Sequence, residues 1–160
     1  ISIQQFKRPD VVDTLTDAVT STGLHPSSVS LEITESVLAD HARAVPTLRA
    51  LKDAGFKIAL DDFGTGYSSL TYLKALPLDA LKIDRSFIRH ITTDERDRAI
   101  VTAIIGVARS LSMDVVAEGV EHKAQRDILL DLGCTVMQGY YFGRPAPVDQ
   151  LDARVTRNSP

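Results

Sequence analysis

Apolar residues occur along the chain in two alternating patterns. Short, nearly continuous apolar runs predict buried strands, whereas apolar residues spaced three or four apart predict helices. Because the two kinds of element alternate, we expect a parallel sheet and an α/β fold. The predicted strands are residues 29–33, 56–60, 80–83, 114–117 and 135–137, and the predicted helices are residues 9–22, 36–54, 70–76, 86–90, 93–111 and 122–132.

Proline, glycine and capping residues set the predicted helix ends. Pro9 suits a first helical position, and Gly23 ends the same helix. Pro46 predicts a kink or a break inside the helix 36–54. Thr92 followed by Glu95 fits a capping box at the start of the longest apolar helix.

The two ends of the chain carry weaker patterns. Residues 1–3 read as the tail of a strand, so we expect the chain to be a fragment or a processed product. Residues 139–147 form an aromatic loop containing glycine and proline. Beyond them we expect one or two helical turns and then a frayed polar tail.

Composition is that of an ordinary globular domain. The 160 residues are 44% hydrophobic and 24% charged, enough for one domain with a core. A net charge of −3 gives no reason to expect binding to duplex nucleic acid or to an anionic membrane. The single cysteine, Cys134, excludes an intrachain disulfide and reads as a core residue. Since the sequence has neither a signal peptide nor a long apolar span, we expect a cytoplasmic location without membrane contact.

The stretch FKIALDDFGTGYSSL, residues 56–70, is the most unusual in the chain. A buried strand ends there in two adjacent carboxylates, Asp61 and Asp62, and a glycine-containing loop follows. Adjacent carboxylates resist joint ionisation unless a cation screens them, and their oxygens suit Mg²⁺, Mn²⁺ or Ca²⁺. The same pattern also fits a turn in which Asp61 caps a helix and Asp62 is solvated. On this stretch alone both interpretations stay open.

Polar residues lie at or near the carboxyl end of all five predicted strands. In a parallel sheet or barrel those ends meet on one face, where active sites are found. One such residue fits a helix cap or an edge lysine, but five in register favour a shared site. The residues, in strand order, are Glu32 with Glu35 after it, Asp61 with Asp62, Lys82 with Asp84, Glu118 with Glu121, and Gln138.

These residue types suit metal-assisted hydrolysis of a phosphate ester. Carboxylates can bind one or two divalent ions, and Asp61 could bridge a pair about 3.5–4 Å apart. Lys82 could hold an attacking water or neutralise a phosphate, and Gln138 could orient a carboxylate or water. The four histidines show no ligand spacing and read as surface residues. The aromatic residues 140–142 could stack on a base or plug the mouth of a barrel, and we favour the plug.

Five motifs together closely resemble the EAL-domain cyclic di-GMP phosphodiesterases. They are LEITES at 31–36, DDFGTGYSSL at 61–70, LKID at 81–84, VAEGVE at 116–121 and QGYYFGRP at 138–145. The resemblance covers residues 1–152 and leaves 153–160 as a tail. It implies a TIM-like (β/α) barrel, truncated at its N-terminal side, that cuts cyclic di-GMP to linear pGpG with Mg²⁺ or Mn²⁺ at a two-metal site.

The resemblance also implies particular roles for seven residues. Lys82 would hold the catalytic water, Gln138 would support the site, and Glu35 would brace the loop after the paired aspartates. That loop, residues 63–69, would couple the site to formation of a homodimer. The implied metal ligands are Glu32, Asp61, Asp62 and Glu118, and Glu118 would alternatively assist the base.

The chain departs from the family pattern at its start. The Glu-Ala-Leu strand with its metal-binding Glu is absent, and the metal-binding Asn would fall just before residue 1. Such barrels typically need ~250 residues, so we expect an open barrel that self-associates and is inactive alone. The alternative is a non-catalytic cyclic di-GMP receptor or regulatory domain. An unrelated metal-using barrel fits the motifs poorly.

Overall fold

Five parallel strands form one sheet at the centre of the fold. The computed structural model describes residues 1–39, 41–64 and 73–147. Each strand pairs with the next one along the chain, in the order β1-β2-β3-β4-β5. The predicted parallel α/β arrangement is therefore confirmed, and the carboxyl ends of all five strands lie on one side. The strands are β1 Ser30–Thr34, β2 Lys57–Phe63, β3 Ala80–Ile83, β4 Asp114–Ala117 and β5 Val136–Met137.

Within the described residues, helices connect β1 to β2, β3 to β4 and β4 to β5, as the apolar spacing predicts. Two short 3₁₀ helices, Pro26–Ser28 and Glu35–Ala39, flank β1. The α-helices are α1 Ile3–Phe6, α2 Val11–Thr20, α3 His41–Asp53, α4 Arg85–Arg89, α5 Glu95–Ser110 and α6 Lys123–Asp131.

Several predicted element ends are wrong. Residues 1–3 are not a strand tail, because Ser2 Oγ accepts from the Gln5 backbone N–H and the Gln5 side chain accepts from Ser2 in a capping box. Helix α2 begins after Pro9, at Val11. Thr92 does not cap α5, since Asp94 Oδ1 accepts from the Arg96 N–H at 2.8 Å instead.

The predicted helix 36–54 consists of two helical segments. The 3₁₀ segment ends at Ala39, and α3 then continues through Pro46 to Asp53. The predicted break at Pro46 is therefore wrong. Residues 70–72 of the predicted helix 70–76 and the tail from residue 148 lie outside the described residues.

The core is formed where the helices pack against the sheet. Ile58, Leu60 and Leu81 in the strands and Leu48 in α3 are fully buried. Each such side chain contributes roughly 1.5–3 kcal/mol relative to exposure. Cys134 is also buried, as predicted, and burial raises the pKa of its thiol. The strand ends that carry the polar residues are thus held in place by the buried core.

Among the helices of the described ranges, none is both long and apolar enough to cross a membrane.

We expect Gly139→Ala to lower the free energy of unfolding by about 1–3 kcal/mol. Gly139 has φ +157°, and a Cβ there would lie 2.2 Å from the Val120 carbonyl oxygen, which is backbone and cannot turn aside. Gly106→Ala is the matched control, because Gly106 lies within α5 with no atom within 4 Å of an added Cβ. There alanine should stabilise by about 0.5–1 kcal/mol. Urea unfolding measures both, and equal effects at the two positions would contradict the steric argument.

Candidate active site

Lys82 lies at the centre of a cluster of carboxylates at the carboxyl edge of the sheet. It belongs to β3, and its side chain is only 7% exposed. Its Nζ lies 2.7 Å from Glu32 Oε1, 2.9 Å from Asp61 Oδ1 and 2.7 Å from Glu118 Oε1. These partners come from β1, β2 and the residue directly after β4. The structure therefore brings four of the predicted site residues into direct contact.

The charge on Lys82 is set by these three contacts. Burial alone would lower the pKa of its ammonium group, but hydrogen bonds to Glu118, Glu32 and Asp61 outweigh burial and raise it. Lys82 is therefore a permanent cation in this arrangement. It neutralises part of the negative charge that three converging carboxylates create.

A bulge at the end of β2 determines where the adjacent aspartates point. Pairing with β3 is irregular between Leu60 and Phe63, and Asp62 has φ +54°. In a regular strand, neighbouring side chains point to opposite faces. Here one oxygen each from Asp61, Asp62 and Glu118 lies within 4.8 Å of the others. Three converging carboxylate oxygens are a suitable ligand set for a hard divalent cation.

Asp62 also interacts with Asp84, which the sequence analysis places among the strand-end polar residues but to which it gives no role. Loss of solvent, the charges of Asp61 and Asp84, and a hydrogen bond with Asp84 raise the pKa of Asp62. Asp84 caps α4 by accepting from the Ser86 N–H at 2.9 Å. Burial opposes the ionisation of Asp84, but these cap hydrogen bonds still lower its pKa. The only sequence signal for Asp84 is its position two residues after Lys82.

Glu35 contacts the backbone that follows the paired aspartates. It starts the 3₁₀ helix after β1, and its Oε1 accepts from the Gly64 N–H at 3.1 Å. Its Oε2 is buried and has no hydrogen-bond partner among the described residues. Glu35 thus lies against the start of the loop 63–69, most of which falls outside the described residues.

Gln138 and the aromatic residues lie at the end of β5. The Gln138 N–H donates to the Ala117 carbonyl at 2.8 Å, and its side chain is exposed. Tyr140 and Phe142 are 54% and 53% exposed, so the expectation that these aromatics plug the barrel is wrong. They contact polar or aromatic neighbours at the surface instead: Arg144 lies 4.7 Å from the Tyr140 ring centre. His25, His90 and His122 are exposed, as predicted.

Asp62→Asn should stabilise the metal-free protein at neutral pH. Because the folded-state pKa of Asp62 is raised above 3.8, the folded protein binds that proton more tightly than the unfolded chain does. The charged form therefore costs stability, and the cost disappears as the pH falls toward 3.8. Urea unfolding with a chelator, from about pH 7 to about pH 4, measures this. A gain that stays constant with pH, or grows in acid, would contradict the assignment.

The fold and the acidic site define an α/β domain of the TIM-barrel type with a candidate metal centre at the carboxyl ends of its strands. The family model described as "EAL domain" matches residues 1–145. The chain therefore belongs to the EAL domain family, as the sequence motifs predict.

Named relatives and solved structures agree with this family assignment. The chain is 46% identical over 156 residues to the bifunctional diguanylate cyclase/cyclic di-GMP phosphodiesterase MucR of Pseudomonas aeruginosa. A structure of the MucR phosphodiesterase with c-di-GMP has a TM-score of 0.90 and 46% identity, over 94% of this chain. The EAL domain of Mycobacterium smegmatis DcpA has a TM-score of 0.93 and 37% identity, over 100% of this chain. A manganese and c-di-GMP complex of Klebsiella pneumoniae BlrP1 has a TM-score of 0.83 and 36% identity, over 89% of this chain.

The chain spans only part of these proteins. It covers 23% of the MucR sequence, 62% of the chain in the MucR structure, 72% of the DcpA chain and 36% of the BlrP1 chain.

Proposed function

We propose that this chain contributes the catalytic face of a phosphodiesterase that hydrolyses cyclic di-GMP to linear pGpG. The observation that carries the proposal is the contact of Lys82 with Glu32, Asp61 and Glu118. Family membership supports it, as do the c-di-GMP and phosphodiesterase names of the relatives. In the reaction, water adds to phosphorus, the bond from phosphorus to the 3′ oxygen breaks, and that oxygen leaves with a proton.

We propose Mg²⁺ or Mn²⁺ as the cofactor, in a two-metal site. The residues that fit it are Asp61, Asp62 and Glu118, whose oxygens already converge, with Glu32 beside them on Lys82. The BlrP1 complexes with manganese and with calcium support a divalent ion of this kind. When bound, such an ion would supply positive charge beside the phosphate and favour ionisation of the attacking water.

The chain's own residues then position the reactants. Lys82, charged and nearly buried, would hold the attacking water and face the negative phosphate. Glu118 would share a metal or assist the base, and Gln138 would support the site from the end of β5. Glu35, through its bond to Gly64, would hold the loop that follows Asp62.

Hydrolysis is tested by incubating the 160-residue chain with cyclic di-GMP and Mg²⁺ or Mn²⁺ and resolving the products by chromatography. Formation of pGpG that stops on adding a chelator is the expected result for a competent site. If the chain neither forms pGpG nor binds cyclic di-GMP in calorimetry, the proposal for this chain is overturned.

A receptor is the second candidate, and one observation favours it. Glu32 is 50% exposed, and its oxygens are not among those of the three converging carboxylates Asp61, Asp62 and Glu118. Three carboxylates are few for two divalent ions. Binding of cyclic di-GMP without product, at saturating metal, would support the receptor.

We also propose that the protein acts in the cytoplasm as a homodimer formed through residues 63–69. Residues 65–69 lie outside the described part of the chain. At the start of this loop, a Cβ on Gly64 would lie 2.9 Å from the Phe87 ring, so Gly64 packs closely against Phe87. Light scattering with and without metal tests the dimer, and a monomer at all concentrations would overturn it.

A further inference from the structure

A cavity of 770 Å³ adjoins the candidate active site on the side of α4. It lies between α4 and the segment that leads from β4 into α6. Two of its lining residues directly follow site residues along the chain: Gly119 follows Glu118, and Arg85 follows Asp84. Its volume falls within the range of small-molecule pockets, which is about 300–1,000 Å³.

The floor of this cavity is rigidly built. Gln125, which is 3% exposed, accepts at Oε1 from the Glu121 N–H at 2.8 Å and from the His122 N–H at 2.9 Å. Its Nε2 donates to the Ile88 carbonyl at 3.1 Å. One buried amide therefore joins α4 to the start of α6 on one side of the cavity.

Two arginines, Arg85 and Arg89, line this cavity, and the charge of Arg85 also acts on the neighbouring Asp84. Arg85 and Arg89 are one turn apart on α4, where like charges repel. Within the described part of the chain neither forms an ion pair, whereas Arg8 pairs with Asp10 and Arg126 with Asp127. A guanidinium group can bind a phosphate through two parallel N–H···O hydrogen bonds. The cavity therefore suits a phosphate better than an uncharged molecule.

The remaining lining residues suit the rest of a nucleotide. Glu121 supplies a carboxylate, which accepts from ribose hydroxyls or from the N–H edge of guanine. His90 and His122 add ring nitrogens. We propose that this cavity binds the monophosphate end of a guanine nucleotide, with the phosphate on Arg85 and Arg89 and the nucleoside at Glu121. The choice of guanine rests on the proposed function, whereas the phosphate subsite rests on the cavity alone.

Calorimetry on the 160-residue chain tests this proposal. A chelator is present to remove divalent ions, so that the phosphate probes cannot bind through metal at the candidate active site. The probes are 5′-GMP, guanosine and inorganic phosphate. We expect 5′-GMP to bind at least about 10-fold more tightly than either fragment. The double variant Arg85→Gln/Arg89→Gln should weaken 5′-GMP binding at least about 10-fold.

The matched control is Arg96→Gln/Arg98→Gln, which removes the same charge from exposed positions on α5 and should leave binding unchanged. Circular dichroism checks the fold, and Arg89→Gln alone provides a milder variant. The proposal is overturned if 5′-GMP does not bind, if inorganic phosphate binds equally well, or if the arginine variants bind normally. Hydrolysis is measured separately with metal, so cyclic di-GMP turnover without 5′-GMP binding would reject the cavity and leave the enzyme proposal intact.

Discussion

Asp61→Asn is expected to lower the rate of cyclic di-GMP hydrolysis by about 10³-fold or more, in this chain or in a longer protein that contains it. Asp61 contributes to both parts of the site: its Oδ1 contacts Lys82 at 2.9 Å, and one of its oxygens lies in the group with Asp62 and Glu118. Asparagine keeps the shape but removes the charge that holds a divalent ion. Product chromatography at saturating Mn²⁺ measures the rate.

Asp114→Asn is the control for this substitution. Asp114 is an exposed aspartate at the opposite end of the same sheet, where β4 begins. It should leave hydrolysis unchanged within about twofold. If Asp61→Asn retains the rate of the unmodified protein, Asp61 is not a metal ligand and the two-metal proposal fails. Metal titration by calorimetry should show the same contrast.

Lys82→Met is expected to destabilise the metal-free protein by about 2–4 kcal/mol. Removing one partner of a buried ion pair costs about 3–5 kcal/mol, because the remaining charge stays buried without a counter-ion. The expected cost is smaller here, since Glu32 is 50% exposed and partly hydrated. Mn²⁺ should restore part of the loss, because it can replace the ammonium between Asp61 and Glu118. Urea unfolding with a chelator and with Mn²⁺ gives both numbers.

Lys52→Met provides the comparison for Lys82. Lys52 bonds both oxygens of Asp79, at 2.6 and 2.8 Å, but the two side chains are 32% and 33% exposed. A pair this accessible should contribute about 1 kcal/mol or less, and metal should not restore it. Equal losses for the two variants, or no response of Lys82→Met to Mn²⁺, would show that Lys82 is not the counter-ion of the carboxylates.

The central elements could be predicted from sequence because burial dictates their pattern. Strand β3, which is largely buried, and strand β4 have the predicted bounds. The wrong ends depend on single hydrogen bonds. Ser2 with Gln5 starts a helix where apolar residues alternate, and Asp94 rather than Thr92 reaches the first turn of α5. Residue preferences for the N-cap position do not decide between candidates such as Asp94 and Thr92.

The same distinction applies to the site. Glu32, Asp61, Lys82 and Glu118 meet because parallel strands place their carboxyl ends together, which the order of the motifs predicts. The cavity that Arg85 and Arg89 line was not predictable, since it depends on how α4 packs against the start of α6. The exposure of the aromatic residues 140–142 likewise depends on tertiary packing rather than on residue type.

The left-handed backbone at Asp62 affects how substitutions there must be interpreted. Aspartate and asparagine tolerate φ +54° better than other non-glycine residues, and β-branched side chains tolerate it worst. Asp62→Asn therefore changes the charge alone. Asp62→Val would also favour a regular strand, in which the side chains of residues 61 and 62 could not both point toward Glu118. A scan of all amino acids at this position would mix the two effects. Only the asparagine and glycine variants separate the contribution of the carboxylate from that of the bulge.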